Sequence, residues 1–209
     1  MQPVDPRALL LPRLRRPEPG RPGTVIVPSL LEAGLVLETT AGEIDVGWED
    51  LEAWGLSFEE GWEAALETLR VRSTPSRWSP VATVPGMQIY LPGGADAASR
   101  ALLLPELLEP FPIEGALFAV PERDQLLVVP LHDFAHLSAV QVLVSAAQVA
   151  TRSTRRPLTD QLFWTDGDRI AHVRVTHRGE ETDVVPPPGF LEAAERLATG
   201  ALAPRVAEA

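Results

Sequence analysis

The 209-residue chain has no cysteine, no lysine and no long uninterrupted apolar run. The absence of cysteine excludes disulfides, thiolate catalysis and cysteine-ligated zinc, so any metal would rest on histidine, aspartate or glutamate. The absence of lysine makes all 18 basic residues arginine. The most apolar stretch, residues 131–150, contains Asp133, two histidines, two serines and two glutamines. We therefore interpret it as a buried helix and expect no membrane span.

Targeting and nucleotide-binding signals are also lacking. The early apolar run at residues 8–11 is too short for the core of a signal peptide and is surrounded by prolines, which predicts a cytoplasmic protein. The sequence has neither GxxxxGK[ST] nor GxGxxG, and it has no GxSxG nucleophile elbow. These absences argue against phosphate-loop, dinucleotide-binding and serine-hydrolase chemistry, and we expect no cofactor.

The charge is unevenly distributed. Residues 32–67 contain eleven acidic residues and no arginine, whereas the first 23 residues contain five arginines and six prolines. The chain as a whole carries a net charge of −11. An acidic body lacks the cations that neutralise phosphates in a duplex-binding groove, so we expect no nucleic-acid partner. With 45% hydrophobic residues the chain has enough apolar material for a core.

The pattern of elements predicts an α+β fold with mostly antiparallel sheets and helices packed on one face. Alternation around Ala41-Gly42 and around Asp166-Gly167-Asp168 predicts β-hairpins, and a third hairpin is predicted to turn at residues 121–124. Residues 57–70 predict a helix that begins with a capping box of Ser57 and Glu60. Pro105 is expected to break a helical stretch at residues 95–109. The predicted core consists of Phe58, Trp62, Leu66, Leu69, Phe118, Leu127, Val129, Val140, Leu143 and Val144.

The order of hairpin, helix, two strands and helix occurs twice, about 80 residues apart. This order predicts an acidic N-terminal half-domain at residues 24–110 and a second half-domain at 111–200. Residues 1–23 are predicted to be a flexible Arg/Pro-rich arm, and 201–209 a tail. For the arm we consider two roles: a second flexible contact for a partner, or a segment that folds back onto an acidic face.

Four stretches carry a family resemblance. They read LEAWGLSFEEGWEAALETLR (51–70), GGADAASRALLLPELLE (93–109), LFAVPERDQLLVVP (117–130) and PLTDQLFWTDGD (157–168). In this order and spacing they resemble the bacterial domain-of-unknown-function family 1444, the YtpQ-like proteins, over roughly residues 35–176. The resemblance implies no activity, cofactor or catalytic residue.

The sharpest metal-binding pattern is LHDFAH, with His132, Asp133 and His136. Two histidines four residues apart on a helix share a face and can hold one metal, as in zinc proteases. Here aspartate stands where that motif has glutamate, and a third ligand would have to come from elsewhere in the chain, from His172, His177 or an acid. The other interpretation is that Asp133 complements a helix N-terminus. We expect no metal and keep a hydrolase or metalloenzyme site around these residues as the alternative function.

The leading functional prediction is a non-enzymatic protein-binding or adaptor module that uses its acidic N-terminal surface. Four acids of the predicted helix 57–70 face solvent and are the candidate partner-binding residues: Glu59, Glu60, Glu63 and Glu67. Their like charges repel one another slightly at helical spacing. A partner protein with a basic surface would relieve that repulsion. A solubilising surface is the competing interpretation, and the sequence does not fix an oligomeric state.

Overall fold

The computed structural model describes residues 5–73, 78–81, 84, 86–90, 97–179 and 181–200, with the backbone alone at 89 and 90. Within these ranges the chain forms eleven β-strands and five α-helices. The strands are β1 (Leu10–Arg15), β2 (Gly23–Val27), β3 (Leu31–Thr39), β4 (Gly42–Asp45), β5 (Trp78–Pro80), β6 (Gln88–Tyr90), β7 (Ala116–Glu122), β8 (Gln125–Pro130), β9 (Leu162–Thr165), β10 (Ile170–Arg178) and β11 (Glu181–Val185). The helices are α1 (Trp48–Ala53), α2 (Phe58–Arg72), α3 (Leu104–Leu107), α4 (Ala139–Ser153) and α5 (Pro188–Thr199). Short 3-10 helices lie at Pro6–Leu9, Ala98–Leu103 and Phe134–Ser138.

The smaller sheet is built around β3. Strand β1 pairs with one edge of β3, and β2 and β4 pair with successive parts of the other edge, all antiparallel. The N-terminal arm was predicted to be flexible, and for residues 6–15 that prediction is wrong. Leu10, Leu11 and Leu14 of β1 are at most 1% exposed, and their burial offsets the entropy cost of ordering the arm.

The larger sheet has seven antiparallel strands in the order β11-β10-β9-β7-β8-β6-β5. The predicted hairpins at residues 121–124 and 166–168 join β7 to β8 and β9 to β10, as expected. The division into two half-domains with separate sheets does not hold, because β6 pairs with β8. Residues 74–77, 82, 83, 85 and 91–96, on which parts of the predicted strands and helix fall, lie outside the described residues.

The two antiparallel sheets and five helices confirm the predicted α+β fold. Both faces of the larger sheet are covered by other parts of the chain. Leu117, Leu127 and Val129 face α4 and α5, and Phe118 and Val128 face the smaller sheet and the 97–108 region. Alternate residues of one strand point to opposite faces, which explains why β7 and β8 are apolar at nearly every position. A separate apolar cluster lies between the smaller sheet and helices α1 and α2.

Local signals for the helices are largely confirmed. Ser57 accepts a hydrogen bond from the backbone N–H of Glu60, and the Glu60 carboxylate accepts one from the backbone N–H of Ser57. This closes the predicted capping box. Pro105 lies in the first turn of α3, directly after the 3-10 helix. Of the predicted core, six residues are buried, whereas Phe58, Trp62, Leu66 and Val140 are only partly buried.

Candidate partner-binding surface

The acidic residues of the 32–67 window divide into a paired group and a group that faces solvent. The paired acids and their arginines are Glu32 with Arg15, Glu43 with Arg13 and Arg123, Glu38 with Arg72, Asp45 with Arg21, Glu60 with Arg7, and Glu67 with Arg70. Four of these arginines belong to the N-terminal arm, which therefore folds back onto the acidic face of its own chain. Once these arginines are counted, the net negative charge around residues 32–67 in the folded chain is much smaller than that of the window alone.

The pair of Arg15 and Glu32 is held over two glycines. Arg15 Nε and one Nη donate to Glu32 Oε1 at 2.9 and 2.7 Å, and the same Nη donates to the Pro22 carbonyl at 2.9 Å. Gly23 and Gly34 are directly opposite each other on β2 and β3. A Cβ on Gly34 would lie 2.5 Å from Arg15 Cζ, and a Cβ on Gly23 would lie 2.6 Å from Glu32 Oε1. The two glycines therefore provide the space that the ion pair occupies.

The carboxylate of Glu43 links the two sheets. It contacts both Arg13 of β1 and Arg123 of the β7–β8 turn, and the three side chains are largely buried. Burial, followed by the charge of Arg13, lowers the pKa of Arg123 to about 10, with a further lowering from Arg156 and an opposing effect of Asp124. Arg123 remains charged at neutral pH, so Glu43 separates two cations that would otherwise repel each other.

Two of the four predicted partner-binding residues already have roles inside the chain. Glu60 closes the capping box, and hydrogen bonds from the backbone and side chain of Ser57 lower the pKa of its carboxyl. Arg7 lies 4.0 Å from it. Glu67 lies 3.4 Å from Arg70 on the next turn of α2. These contacts leave Glu60 and Glu67 less available to a partner than the sequence suggested.

The other two predicted residues, Glu59 and Glu63, are exposed and form no ion pair within the described part of the chain. They are one turn apart on α2. Glu49 and Glu52 on α1 are likewise exposed and make no ion pair with any described residue. The solvent-facing acids of the N-terminal half are therefore concentrated on α1 and α2.

A row of aromatic rings runs between these helices. Trp48 and Phe58 have ring centroids 6.1 Å apart, and Phe58 stacks on Trp62 at 6.1 Å with an interplanar angle of 23°. Trp48 is 54% exposed, and Ile44 on the neighbouring strand is 57% exposed. Phe58 and Trp62 are half-buried against the cluster between the smaller sheet and the helices. Phe58 and Trp62 are therefore held by packing, and Trp48 is accessible to a partner.

The acids border this row because residues three and four apart on a helix are neighbours. Glu59 is three residues before Trp62, and Glu52 is four residues after Trp48. We call the combined feature the aromatic–acidic surface, and it consists of Trp48, Phe58, Trp62, Glu52, Glu59 and Glu63.

Sequence reasoning found the acids of this surface but not its aromatic part. Phe58 and Trp62 were predicted to lie in the core, and Trp48 was given no role at the surface. In the structure Val46 is buried, but β4 ends at Asp45 and Trp48 begins α1, so Trp48 turns outward. The available signal was the four-residue spacing of Phe58 and Trp62 beside the acids.

His132 and His136 do not lie on one α-helix, but their rings are adjacent, with centroids 5.9 Å apart. His132 precedes the 3-10 helix Phe134–Ser138, and Asp133 is its N-cap, accepting hydrogen bonds from the backbone N–H groups of Ala135 and His136. The Nδ1 of His136 accepts from the backbone N–H of Asp133 at 3.2 Å. The capping interpretation, which was the structural alternative, accounts for Asp133 and His136.

The two remaining histidines lie on β10 in local hydrogen-bond networks. His172 Nε2 is 2.9 Å from Oε1 of Gln161, which also accepts from a backbone N–H of the same strand. His177 Nδ1 is 3.1 Å from the Thr182 hydroxyl, its cross-strand partner, and its Nε2 is 3.7 Å from Asp160. Cross-strand pairing is sufficient to explain the contact with Thr182.

No group of three or more histidine, aspartate or glutamate side chains is placed to hold a metal among the described residues. The absence of a bound metal therefore stays a prediction. The segment Phe134–Ser153 is long and apolar enough to cross a membrane by length and composition alone.

No family model, curated protein or solved structure matches the chain. The resemblance to family 1444 likewise stays a prediction.

Proposed function

We propose that this protein is a non-enzymatic binding module, acting in the cytosol, that holds an arginine- or lysine-containing segment of another protein on the aromatic–acidic surface. The observation that carries the proposal is the row of Trp48, Phe58 and Trp62, in which Trp48 is exposed and the other two are half-buried, beside acids that form no ion pair with any described residue. The earlier set of four acids is thereby narrowed to Glu59 and Glu63, with Glu52 added.

A basic segment complements both parts of this surface. A guanidinium over the face of a tryptophan gains about 0.5–1 kcal/mol at an exposed site. The same cation reaches a neighbouring carboxylate, because Glu59 and Trp62 are one helical turn apart. Arginine is favoured over lysine because its planar group stacks on a ring and forms paired hydrogen bonds with a carboxylate at the same time.

The competing interpretation, a surface that only keeps the protein soluble, accounts for the acids but not for the rings. The exposed side chains of Trp48 and Ile44 lower solubility. Aromatic residues are enriched, and glutamate is depleted, at the centres of protein interfaces. A ring row with acids at its border therefore suits recognition of a cationic chain better than solubilisation.

Peptide binding tests the proposal. The full-length protein is titrated by calorimetry with an Arg-Gly-Gly repeat peptide, with its lysine counterpart and with a glutamate counterpart. We expect binding of the arginine peptide to be tightest, to weaken with salt, and to be undetectable for the glutamate peptide.

Two variants and a matched control identify the surface. The double variant Glu59→Gln and Glu63→Gln removes two negative charges. Each charge is expected to contribute about 0.5–1 kcal/mol to the free energy of binding, so the affinity should fall about 5- to 30-fold. Trp48→Ala should weaken binding about 2- to 5-fold through loss of the ring. Glu181→Gln with Glu195→Gln removes the same charge from exposed positions elsewhere and should have a much smaller effect. Equal losses in the two double variants would show a non-specific charge effect and contradict the proposal.

A further inference from the structure

The outward face of helix α4 carries exposed valines and has no charged residue before Arg152. The most apolar 18-residue window of the segment Phe134–Ser153, which joins the 3-10 helix to α4, has a mean hydropathy of 1.3, yet only 22% of that window is buried within the chain. Ala139, Leu143 and Ala147 form its buried side against the larger sheet. Val149 on the opposite side is 65% exposed. The chain therefore buries one side of an apolar helix and leaves the other open.

The exposed residues of this face have the spacing of a helix–helix seam. They are Ser138, Val142, Ser145, Val149 and Arg152, separated by four, three, four and three residues. A period of 3.5 residues keeps a stripe facing a second helix along its whole length. Serine alternates with valine in the first four positions, so small and larger side chains can interdigitate at close approach.

The two ends of the face carry opposite charges. Asp133, the exposed N-cap residue, precedes it, and Arg152 and Arg155 lie at its C-terminal end. Between Asp133 and Arg152 no residue is aspartate, glutamate or arginine. An antiparallel copy of the same helix brings the acid of one chain near the arginines of the other. The opposed helix dipoles add to this match.

A shallow groove flanks α4 on each side. One, of about 820 Å³, is lined by Val142, Ala146, Val149 and Arg155 together with the β7–β8 hairpin. The other, of about 580 Å³, lies between α4 and Val184 of β11. A second helix laid along the seam would have room on the side of the larger groove.

We propose that two copies of this chain associate through α4, antiparallel, about a two-fold axis near Ser145. Val142 then meets Val149 of the second copy, and Ser138 meets Arg152. An isologous arrangement of this kind buries the same patch on both chains and closes after two copies. Lipid is the less suitable occupant, because Gln141 and Ser145 on the exposed side are polar and the other side already packs on the sheet. The dimer is independent of the aromatic–acidic surface.

The mass of the full chain in solution is the first measurement. A 22.7 kDa chain should give about twice that mass in light scattering at high concentration, and should dissociate on dilution. The double variant Val142→Glu and Val149→Glu places four like charges at the axis and should remain monomeric. Both positions are exposed, so circular dichroism should be unchanged, and the melting temperature should equal that of the unmodified chain at dilutions where the latter is monomeric. Val185→Glu with Leu191→Glu is the matched control at two other exposed apolar positions and should still dimerise.

Cross-linking tests the antiparallel geometry without background, because the chain has no cysteine. Ser145→Cys lies at the axis and should form a disulfide-linked dimer under mild oxidation. Ser138→Cys lies far from its own copy in this arrangement and should not. Equal cross-linking at the two positions would overturn the antiparallel pairing.

Two further outcomes would overturn the dimer itself. One is a monomeric mass for the unmodified chain at every concentration. The other is a monomer that co-sediments with vesicles of phosphatidylcholine and phosphatidylglycerol and loses this binding in the Val142→Glu, Val149→Glu variant, which would assign the face to a membrane.

Discussion

Arg15 and Glu32 are directly opposite each other on β1 and β3, and two nitrogens of the guanidinium donate to a single carboxylate oxygen. Both side chains are about nine-tenths buried, above a pair of facing glycines. This relationship fixes the N-terminal arm to the smaller sheet. It also explains why the charges of the arm and of the acidic window do not both appear on the surface.

The space above Gly34 is predicted to be essential to this ion pair. Gly34→Ala places a Cβ where the guanidinium lies, so Arg15 must move away from Glu32. We expect the free energy of unfolding to fall by about 1–3 kcal/mol, the range for leaving buried polar groups unpaired. Urea unfolding measures the effect. In an Arg15→Ala background the same substitution should cost much less, and an equal cost in both backgrounds would contradict the steric account.

Glu43 is predicted to be the most sensitive carboxylate of the acidic window. Glu43→Gln leaves Arg13 and Arg123 adjacent without a balancing charge, which should cost about 3–5 kcal/mol. The matched control is Glu38→Gln, because Glu38 pairs with Arg72 in a more exposed position. Its expected cost is below about 1 kcal/mol. Similar unfolding midpoints for the two variants would show that the contacts of Glu43 with Arg13 and Arg123 contribute little to the free energy of unfolding.

The C-terminal helix is predicted to depend on Arg196. Its Nε donates to both oxygens of Glu114, which is 3% exposed, at 2.9 and 3.1 Å. Arg196→Ala leaves a buried carboxylate without its cation and should lower the free energy of unfolding by about 1–3 kcal/mol, since the guanidinium is itself 43% exposed and partly screened by water. Arg178→Ala breaks an exposed pair with Asp183 and should cost less than about 1 kcal/mol. A small effect at Arg196 would mean that water replaces its guanidinium.

The stability of the fold is predicted to fall below neutral pH partly through His172. Burial, and then the charge of Arg174, hold the pKa of His172 below its ordinary value of 6.5. As the pH falls, this histidine binds a proton in the unfolded chain at a higher pH than in the folded chain. The stability that the neutral imidazole contributes is therefore complete above pH 6.5. It is lost as the pH falls from 6.5 to the pKa of His172 in the folded state. His172→Gln should flatten the dependence of the urea midpoint on pH in this range. A pH profile of the urea midpoint that is identical for His172→Gln and for the unmodified protein would rule out this role.

Local signals in the sequence were enough to predict several elements. The Ser57–Glu60 capping box, the turn at Asp166-Gly167-Asp168 and the break at Pro105 each depend on residues within a few positions of one another. Such features are set by backbone hydrogen bonding and proline geometry. They could therefore be read without knowledge of the rest of the chain.

Features that depend on distant residues were not predictable. The arm looked flexible because proline and arginine dominate it, whereas Arg13 and Arg15 are ordered by Glu43 and Glu32. The pairing of β6 with β8 joins strands that the repeated pattern had assigned to different halves. The same limit applies to the candidate site, since exposure of Trp48 depends on where β4 ends and α1 begins.

The measurement that tests the proposed function most directly is a titration of the full-length protein with the Arg-Gly-Gly repeat peptide, followed by the indole N–H resonances in a proton–nitrogen correlation spectrum. The chain has five tryptophans, so each indole can be assigned by single substitution. We expect the resonances of Trp48 and Trp62 to shift with saturation. Trp164, which is buried and donates to the Glu114 carbonyl at 3.0 Å, should not move. Saturable binding that leaves Trp48 and Trp62 unshifted would contradict recognition on the aromatic–acidic surface.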